Sequence, residues 1–434
     1  MKRNVDNNTP ILDTLKEYLS KKPIRMHVPF HAGSSNNDTL PKEIYNLDIS
    51  EVSGYDVDGK DNPIYQSEKI TANLFSVKHS FYLTSGASIG LVASLISLNK
   101  FGKKVILARN VHKSVINGVI LAGLEPIWLD VDFLDNWGVF SRVDPNRLKE
   151  VVSNNSDIAG CVIVSPTYEG IVSDIREIAS ICHKKNIPLI VDEAHGSHFY
   201  FLNNKGLVSA IQSGADLVIQ SWHKSLGSLT QSGVLHLVND RFFTYNDLKR
   251  SLDLVSSTSP SFLLLVSLEL TRKYLVETKG ASFNLLLNNA MSLRMELEKI
   301  KNIYVFKNND PFKIYLKMPN ISGIDFAYEL YKGYSIEIES ANNIGLLALV
   351  GNNFTDETRH KIIDALTKIS KENTLSNICR HKVEKPQVNK FTMRPRDAFM
   401  LGYRDKNNSR INCEVSAPCP PGYVVNIPGS KEKS

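Results

Sequence analysis

The sequence predicts an α/β fold: a mainly parallel central sheet with helices on both faces, plus a smaller C-terminal α+β domain. Two observations predict it. Between residues 71 and 240, short apolar runs alternate with helix-like stretches. Such alternation needs crossover connections, which give parallel strands covered on both sides. After residue 300 the pattern changes to short strands with one helix over 303–350 and another over 354–372.

Residues 11–22 read as an amphipathic helix, because Ile11, Leu12, Leu15, Tyr18 and Leu19 recur at helical spacing. Residues 26–70 show glycines, prolines and polar residues without a clear period. A long irregular segment inside a compact protein is often functional. The strand candidates that follow are 81–83, 105–108, 126–129, 161–164, 189–191, 217–219 and 234–237. Helices are expected between most of them, at 88–100, 113–122 and 174–186. The apolar stretch 259–300 reads as one connecting helix, 373–392 as a linker, and 393–429 as a tail rich in Pro and Gly. The chain thus divides into an N-terminal helix and loop segment (1–70), a large domain with its connecting helix (71–300), and a small C-terminal domain with the tail (301–434).

With 434 residues, the chain has room for two or three domains at roughly 100–200 residues each. Lys+Arg total 51 and Asp+Glu 45, a net charge of +6 without a long basic block. Nucleic-acid binding therefore has little support. The start, Met1-Lys2-Arg3-Asn4-Val5-Asp6, leads into polar sequence rather than a signal peptide's apolar core. Phe262 to Leu270, the longest apolar candidate, is broken by Ser267 and Glu269 and falls short of the roughly 18 residues of a membrane helix. A cytoplasmic protein with no membrane association is expected. The five cysteines fit no zinc spacing, so no metal is expected. Cys413 and Cys419 could pair, but scattered reduced thiols suit a cytosolic chain.

In open α/β sheets, ligands bind at the carboxyl ends of the strands. Five polar motifs fall there. Leu189-Ile190-Val191 ends in Asp192-Glu193-Ala194-His195-Gly196. A buried aspartate needs a partner. The protonated pyridine nitrogen of pyridoxal phosphate (PLP) is one; a metal or phosphate site would leave the same pattern. The next strand, 217–219, leads into Gln220-Ser221-Trp222-His223-Lys224-Ser225. A Schiff-base lysine needs local desolvation so that its neutral amine is available, and Ser221 and His223 could donate to a phosphate. Alone, Lys224 reads as a surface lysine; Asp192 one strand earlier makes it a cofactor anchor. Thr84-Ser85-Gly86-Ala87-Ser88 is a strand, turn and helix start where backbone N–H groups can bind an anion, as any capped helix can. His112, in Arg109-Asn110-Val111-His112-Lys113-Ser114, could stack on a cofactor ring or be an ordinary loop histidine. Thr167, in Ser165-Pro166-Thr167-Tyr168-Glu169-Gly170, is placed to meet a ring's phenolic oxygen or the substrate.

Together these segments resemble the Orn/Lys/Arg decarboxylase family of PLP enzymes, of fold type I (aspartate-aminotransferase-like). His27-Val28-Pro29-Phe30-His31-Ala32-Gly33, Asp48-Ile49-Ser50-Glu51-Val52 and Ser225-Leu226-Gly227-Ser228-Leu229-Thr230-Gln231 add to the likeness. So do Met393-Arg394-Pro395-Arg396-Asp397-Ala398-Phe399, Ala417-Pro418-Cys419-Pro420-Pro421-Gly422 and Ile427-Pro428-Gly429. The resemblance spans nearly the whole chain. It implies Lys224 as the Schiff-base lysine, Asp192 on the pyridinium nitrogen and His112 on the ring. It puts Gly86, Ala87, Ser88, Ser221 and His223 around the phosphate, with Ala194 and His195 beside the ring. Two departures from the family stand out. Ala87 stands where a second hydroxyl is usual, and Phe30-His31-Ala32 where Gly-His-Lys is common. The N-terminal regulatory domain of long members has no counterpart here, so the chain looks like a short form.

The resemblance further implies PLP-dependent decarboxylation of a basic amino acid. Arginine to agmatine is favoured, with lysine or ornithine as alternatives, feeding polyamine synthesis. Reprotonation at Cα would fall to Lys224 or His223. A homodimer, or a dimer-based oligomer with shared active sites, is expected. Alternatives are an aminotransferase, which would clamp the α-carboxylate with an arginine such as Arg394 or Arg396, an aldolase or lyase, and a non-catalytic regulatory paralogue. The substrate's distal cation needs a carboxylate. Candidates are Asp48, Glu51, Asp397 and Glu414.

Overall fold

Helix α1 (Pro10–Ser20) begins at a proline and buries Ile11 and Leu15. The computed structural model describes all residues except 1–5, 35–39, 51, 53, 56–58, 203–204, 320, 374–381, 387–390, 403–410, 419, 421 and 432–434. Within the stretch expected to be irregular, α2 (Lys42–Leu47) forms and α3 (Pro63–Leu74) begins. Asn62 caps α3 by accepting the Ile64 and Tyr65 N–H groups at 2.9 and 3.3 Å. The buried face of α3 includes Ser67, Glu68 and Thr71, so apolar periodicity could not reveal it.

The central layer then builds up as β1 (His79–Leu83), α4 (Gly86–Ser97), β2 (Lys104–Ala108), α5 (Lys113–Ala122) and β3 (Glu125–Leu129). A short hairpin, β4 (Phe133–Leu134) and β5 (Val139–Phe140), precedes α6 (Pro145–Ser153), β6 (Ile158–Val164), α7 (Ile175–Lys184) and β7 (Leu189–Asp192). The layer closes with β8 (Leu217–Gln220), α8 (Trp222–Ser225) and β9 (Gly233–Leu237). The seven strands lie in the order β1-β9-β8-β7-β6-β2-β3. Only β9 is antiparallel to its neighbours. Because β9 reverses between β1 and β8, those two run the same way. The carboxyl ends of β1, β2, β6, β7 and β8 therefore share one edge. Val105–Ala108 and Leu189–Val191 are fully buried, as continuous apolar strands between two helical layers must be.

After α9 (Tyr245–Val255), the expected single helix over 259–300 is two, α10 (Phe262–Thr278) and α11 (Ala281–Leu297). Lys279 and Gly280 break it, with φ of 51° and 72°. A Cβ at Gly280 would also meet Phe201 Cβ at 2.9 Å. Helix α10 carries a buried Glu269 that accepts the Ile11 and Leu12 N–H groups at 3.1 and 2.8 Å. It thereby supplies α1 with the cap its own Thr9 side chain does not.

The smaller layer consists of β10 (Tyr304–Val305), β11 (Lys313–Lys317), α12 (Gly323–Tyr334), β12 (Ser340–Ala341), β13 (Leu346–Leu349) and α13 (Asp356–Glu372). Its antiparallel sheet has the order β10-β11-β13-β12. The tail is more ordered than its composition suggests. Helix α14 (Pro395–Gly402) lies on α5, with Arg396 donating to Ile120 O at 2.9 Å and to Leu121 O. Residues 422–424 lie against the large domain. Lys113 N–H donates to Gly422 O at 3.1 Å, and Arg109 Nη1 to Val424 O at 2.8 Å. Cys161, Cys182 and Cys413 are free thiols. Among the described residues no helix is long and apolar enough to cross a membrane.

Candidate active site

The shared strand edge opens into a cavity of about 370 Å³. Lys224 lies on its wall, carried by the one-turn helix α8 directly after β8. Trp222, fully buried, anchors this turn by donating Nε1–H to Gln220 Oε1 at 3.0 Å. Lys224 Nζ donates to His195 Nε2 at 3.2 Å. Burial, then Lys313 and Lys224, hold His195 well below the usual imidazole range, so its ring is neutral and can accept. His223 Nδ1 faces Ser232 O at 2.9 Å, and a carbonyl only accepts, so Nδ1 carries the proton. Burial first, with the Lys224 charge, depresses His223 too, leaving Nε2 as a free lone pair.

Asp192 ends β7 beside Lys224's strand and is 4% exposed. Its Oδ1 accepts the Ala194 N–H at 3.1 Å. Burial raises its pKa, against the opposing pull of Lys224 and that N–H. A buried carboxylate so sparsely partnered calls for a cationic or N–H partner from the cavity side. Beneath it, Glu193 accepts Gln220 Nε2 and Ser209 Oγ, both at 2.7 Å, and the Ala210 N–H at 2.6 Å. Burial pushes Glu193 up to about 7. Gln220 joins Glu193, Trp222 and His236 into one buried network that ties the Asp192 turn to the Lys224 turn.

At the other end lies the start of α4. Ser85, its N-cap residue, makes no side-chain cap bond. The N–H groups that follow Gly86 in the first turn thus stay available to an anion. Gly86 (φ 77°) turns the chain, and its N–H donates to Gln231 O at 2.7 Å. Gly233 lets β9 pass close by, since a Cβ there would sit 3.1 Å from Ala87 N.

His112 caps α5. Its Nδ1 accepts the Ser114 N–H at 3.2 Å and contacts Ser114 Oγ at 2.8 Å. Burial, then Lys224 and Lys113, bring its pKa down to about 4, so a neutral ring faces the cavity. The C-terminal strap closes over it. His112 and Tyr423 form a β-bridge, and a Cβ at Gly422 would meet His112 Cδ2 at 2.5 Å. Tyr423 OH donates to Glu169 Oε2 at 3.1 Å. Burial raises the pKa of that glutamate.

Gly86, Ala87, Ser88, His112, Asp192, Ala194, His195, Ser221, His223 and Lys224 all line this cavity. Thr167 does not: it is fully buried, and its Oγ1 accepts the Ile171 N–H at 3.1 Å within a turn. Its neighbours Pro166 and Tyr168 take the cavity wall instead. Several lining residues were not among the site candidates, Glu339 and Tyr423 among them. Glu339 accepts Tyr168 OH at 2.7 Å. Nothing local marks it, because it follows α12 in the smaller layer. The carboxylates suggested for the distal cation lie elsewhere. Asp48 pairs with His31 at 3.2 Å, Asp397 with Arg394 at 2.7 Å, and Glu414 is exposed away from the cavity. Glu51 is outside the described residues. No arginine lines the cavity among the described residues, and Arg394 and Arg396 are engaged elsewhere.

Comparisons with known proteins agree with this architecture. The family described as Orn/Lys/Arg decarboxylase, major domain, matches residues 9–318. An arginine decarboxylase of Bacillus subtilis (strain 168) is 27% identical over 447 residues, covering 98% of this chain and 91% of its own. One from Bacillus anthracis is 28% identical over 445 residues, covering 97% and 90%. Among solved structures, lysine decarboxylase A from Pseudomonas aeruginosa superposes with a TM-score of 0.81 at 16% identity, covering 98% of this chain and 74% of its own. At that identity the likeness is one of fold.

Proposed function

The chain belongs to the Orn/Lys/Arg decarboxylase family, a PLP-dependent family, and we propose that it converts arginine to agmatine and CO₂ with PLP held at Lys224. One observation carries this reading: Lys224 and Asp192 face one cavity that has Glu339 on its wall and no arginine among its described lining residues. The two Bacillus relatives, named arginine decarboxylases, favour arginine over lysine or ornithine.

The residues suit the cofactor. Lys224 offers the amine that would hold its aldehyde carbon. Asp192, buried and short of partners, would keep a proton on the ring nitrogen. The uncapped N–H groups of α4, with the Ser88 and Ser221 hydroxyls, would receive the phosphate. When bound, PLP supplies an electron sink for the pair left at Cα.

The chain's own groups do the rest. Glu339 is the carboxylate available to a guanidinium or ammonium at the substrate's far end. With no arginine to clamp it, the α-carboxylate would enter a wall of Pro166, Tyr168 and Ala194 and lose water there. An unclamped, desolvated carboxylate favours loss of CO₂ over the retention an aminotransferase requires. Lys224 Nζ or His223 Nε2 would deliver the proton to Cα.

The test is a panel assay of arginine, lysine and ornithine with PLP-loaded protein, following both CO₂ and the amine. Fastest turnover on arginine is expected. Faster release from lysine or ornithine overturns the substrate; release from none overturns the reaction.

A further inference from the structure

A second cavity, of about 180 Å³, opens behind Lys224. It shares His195, His223 and Lys224 with the first, so these three form a partition between two chambers. The rear chamber's far wall carries His198, Asp310 and Lys313, all buried. Its rim includes the exposed residues Gly351 and Asn352. Asn352 stands over Gly227, where a Cβ would meet its Nδ2 at 2.9 Å.

The polar groups of this chamber are incompletely satisfied. Asp310 Oδ1 accepts His198 Nε2–H at 3.2 Å and the Phe312 N–H at 3.0 Å. Asp310 Oδ2, His198 Nδ1 and Ser225 Oγ are buried without a hydrogen-bond partner. Three such atoms on residues lining one cavity are what ordered water satisfies. At about 30 Å³ per water, the space holds several.

Decarboxylation gives that water a use. The bond from Cα to the carboxylate breaks, and CO₂ leaves without the bonding pair. The pair then takes a proton, so each turnover consumes one proton drawn from solvent. The front cavity, however, must exclude water while the carboxylate loses its charge. A dry reaction chamber and a supply of protons conflict unless they are separated.

We propose that the rear chamber is a water-filled proton reservoir that recharges the Lys224–His223 partition after each turnover. The inference rests on the decarboxylase reading. His223 suits the relay: its Nδ1–H is held by Ser232 O at 2.9 Å, so the neutral ring takes up a proton at Nε2. Lys224 is held by His195 at 3.2 Å and reaches both chambers. Asp310 and His198 are positioning residues that order the water.

The test combines a crystal structure of the PLP-loaded protein with two variants outside the cofactor site, Leu286→Phe in the chamber wall and Asn352→Leu at its exposed rim. Ordered waters on Ser225 Oγ and Asp310 Oδ2 are expected. Both variants should keep the cofactor's absorbance and an unaltered KM, while kcat falls roughly ten-fold or more with a larger solvent deuterium isotope effect. If Leu286→Phe does not fold, Asn352→Leu, on the surface, still decides. A dry chamber, or kcat and isotope effect unchanged in the variants of an active wild type, overturns the reservoir alone. A wild type that releases no CO₂ overturns the decarboxylase reading and the reservoir with it.

Discussion

Two sets of residues meet in the active-site cavity, and they arrive by different routes. Asp192 ends a strand of the central sheet, and Gly86, His112 and Lys224 each follow one by a few residues. Glu339 and Tyr423 come from the smaller layer and the C-terminal strap. The first set is fixed by sheet register: Asp192 pairs with both Val164 and Ile219. The second set is placed by packing between segments distant in sequence, as in the bridge between His112 and Tyr423. A rigid strand-end set suits cofactor chemistry, which tolerates little displacement. A strap brought in from outside the sheet suits the part of the site that must fit a particular substrate.

The largest effects should therefore come from the strand ends. Lys224→Ala should remove the visible absorbance of PLP-loaded protein and cut kcat by on the order of 10²–10⁴-fold. An unchanged spectrum would detach the cofactor from Lys224. Asp192→Ala should retain bound cofactor yet lose on the order of 10²–10³-fold in kcat. Near-normal turnover would remove Asp192 from the ring nitrogen.

That same division explains what could be read from sequence. An apolar run followed by a polar turn is a local signal, and it marked β7 with Asp192 and β8 with Lys224 correctly as strands and strand ends. Periodicity failed where burial was polar, as in α3 with Ser67 and Glu68 inside. It also failed where φ alone decided, as at Lys279-Gly280 between α10 and α11. Thr167 looked like a site residue from spacing, but its turn spends the hydroxyl on Ile171 N–H. Glu339 and Tyr423 left no local trace, because only the packing of distant segments brings them to the cavity. Candidates chosen for the distal cation from motif text, such as Asp48 and Asp397, were instead held in surface pairs.

Glu339→Gln probes the remote set at its strongest point. A hydrogen bond to a charged group contributes about 1.5–3 kcal/mol, which corresponds to roughly 10–100-fold in affinity. KM for arginine should rise by about that factor, with kcat changed only a few-fold. If KM is unaltered, the smaller layer does not read the distal cation.

Acid and alkali should strain different buried groups around the site. His112 and His236 have folded pKa values lowered to about 4 and about 3, each chiefly by burial. They stay neutral in the fold while the unfolded chain protonates near pH 6.5. Their contribution is therefore complete above about pH 6.5 and is lost as pH falls from there towards the folded values. For the fully buried His236 the slope approaches about 1.4 kcal/mol per pH unit. Glu169, under the strap, is raised by burial and behaves inversely, losing stability as pH rises. Urea unfolding at pH 7 and pH 5 should show a smaller loss for His236→Gln than for the wild type. Equal losses would mean that this imidazole takes up its proton as readily in the fold as in the unfolded chain.

The smallest expected effect belongs to Tyr423→Phe, and it discriminates most finely between the two sets. The substitution keeps the ring, which meets Phe140 edge-on at 5.2 Å. It removes the hydroxyl that donates to Glu169 at 3.1 Å and accepts the Tyr168 N–H at 3.4 Å. Losing these two bonds costs about 1–2 kcal/mol, or roughly five- to thirty-fold in an equilibrium constant. If the strap serves substrate fit, that factor should appear in KM, while cofactor affinity, followed by absorbance titration, stays within error. If instead cofactor affinity falls and KM does not, the strap supports the His112 wall against which it is bridged. The C-terminal segment would then belong with the strand ends as part of the cofactor site, despite the distance in sequence between them.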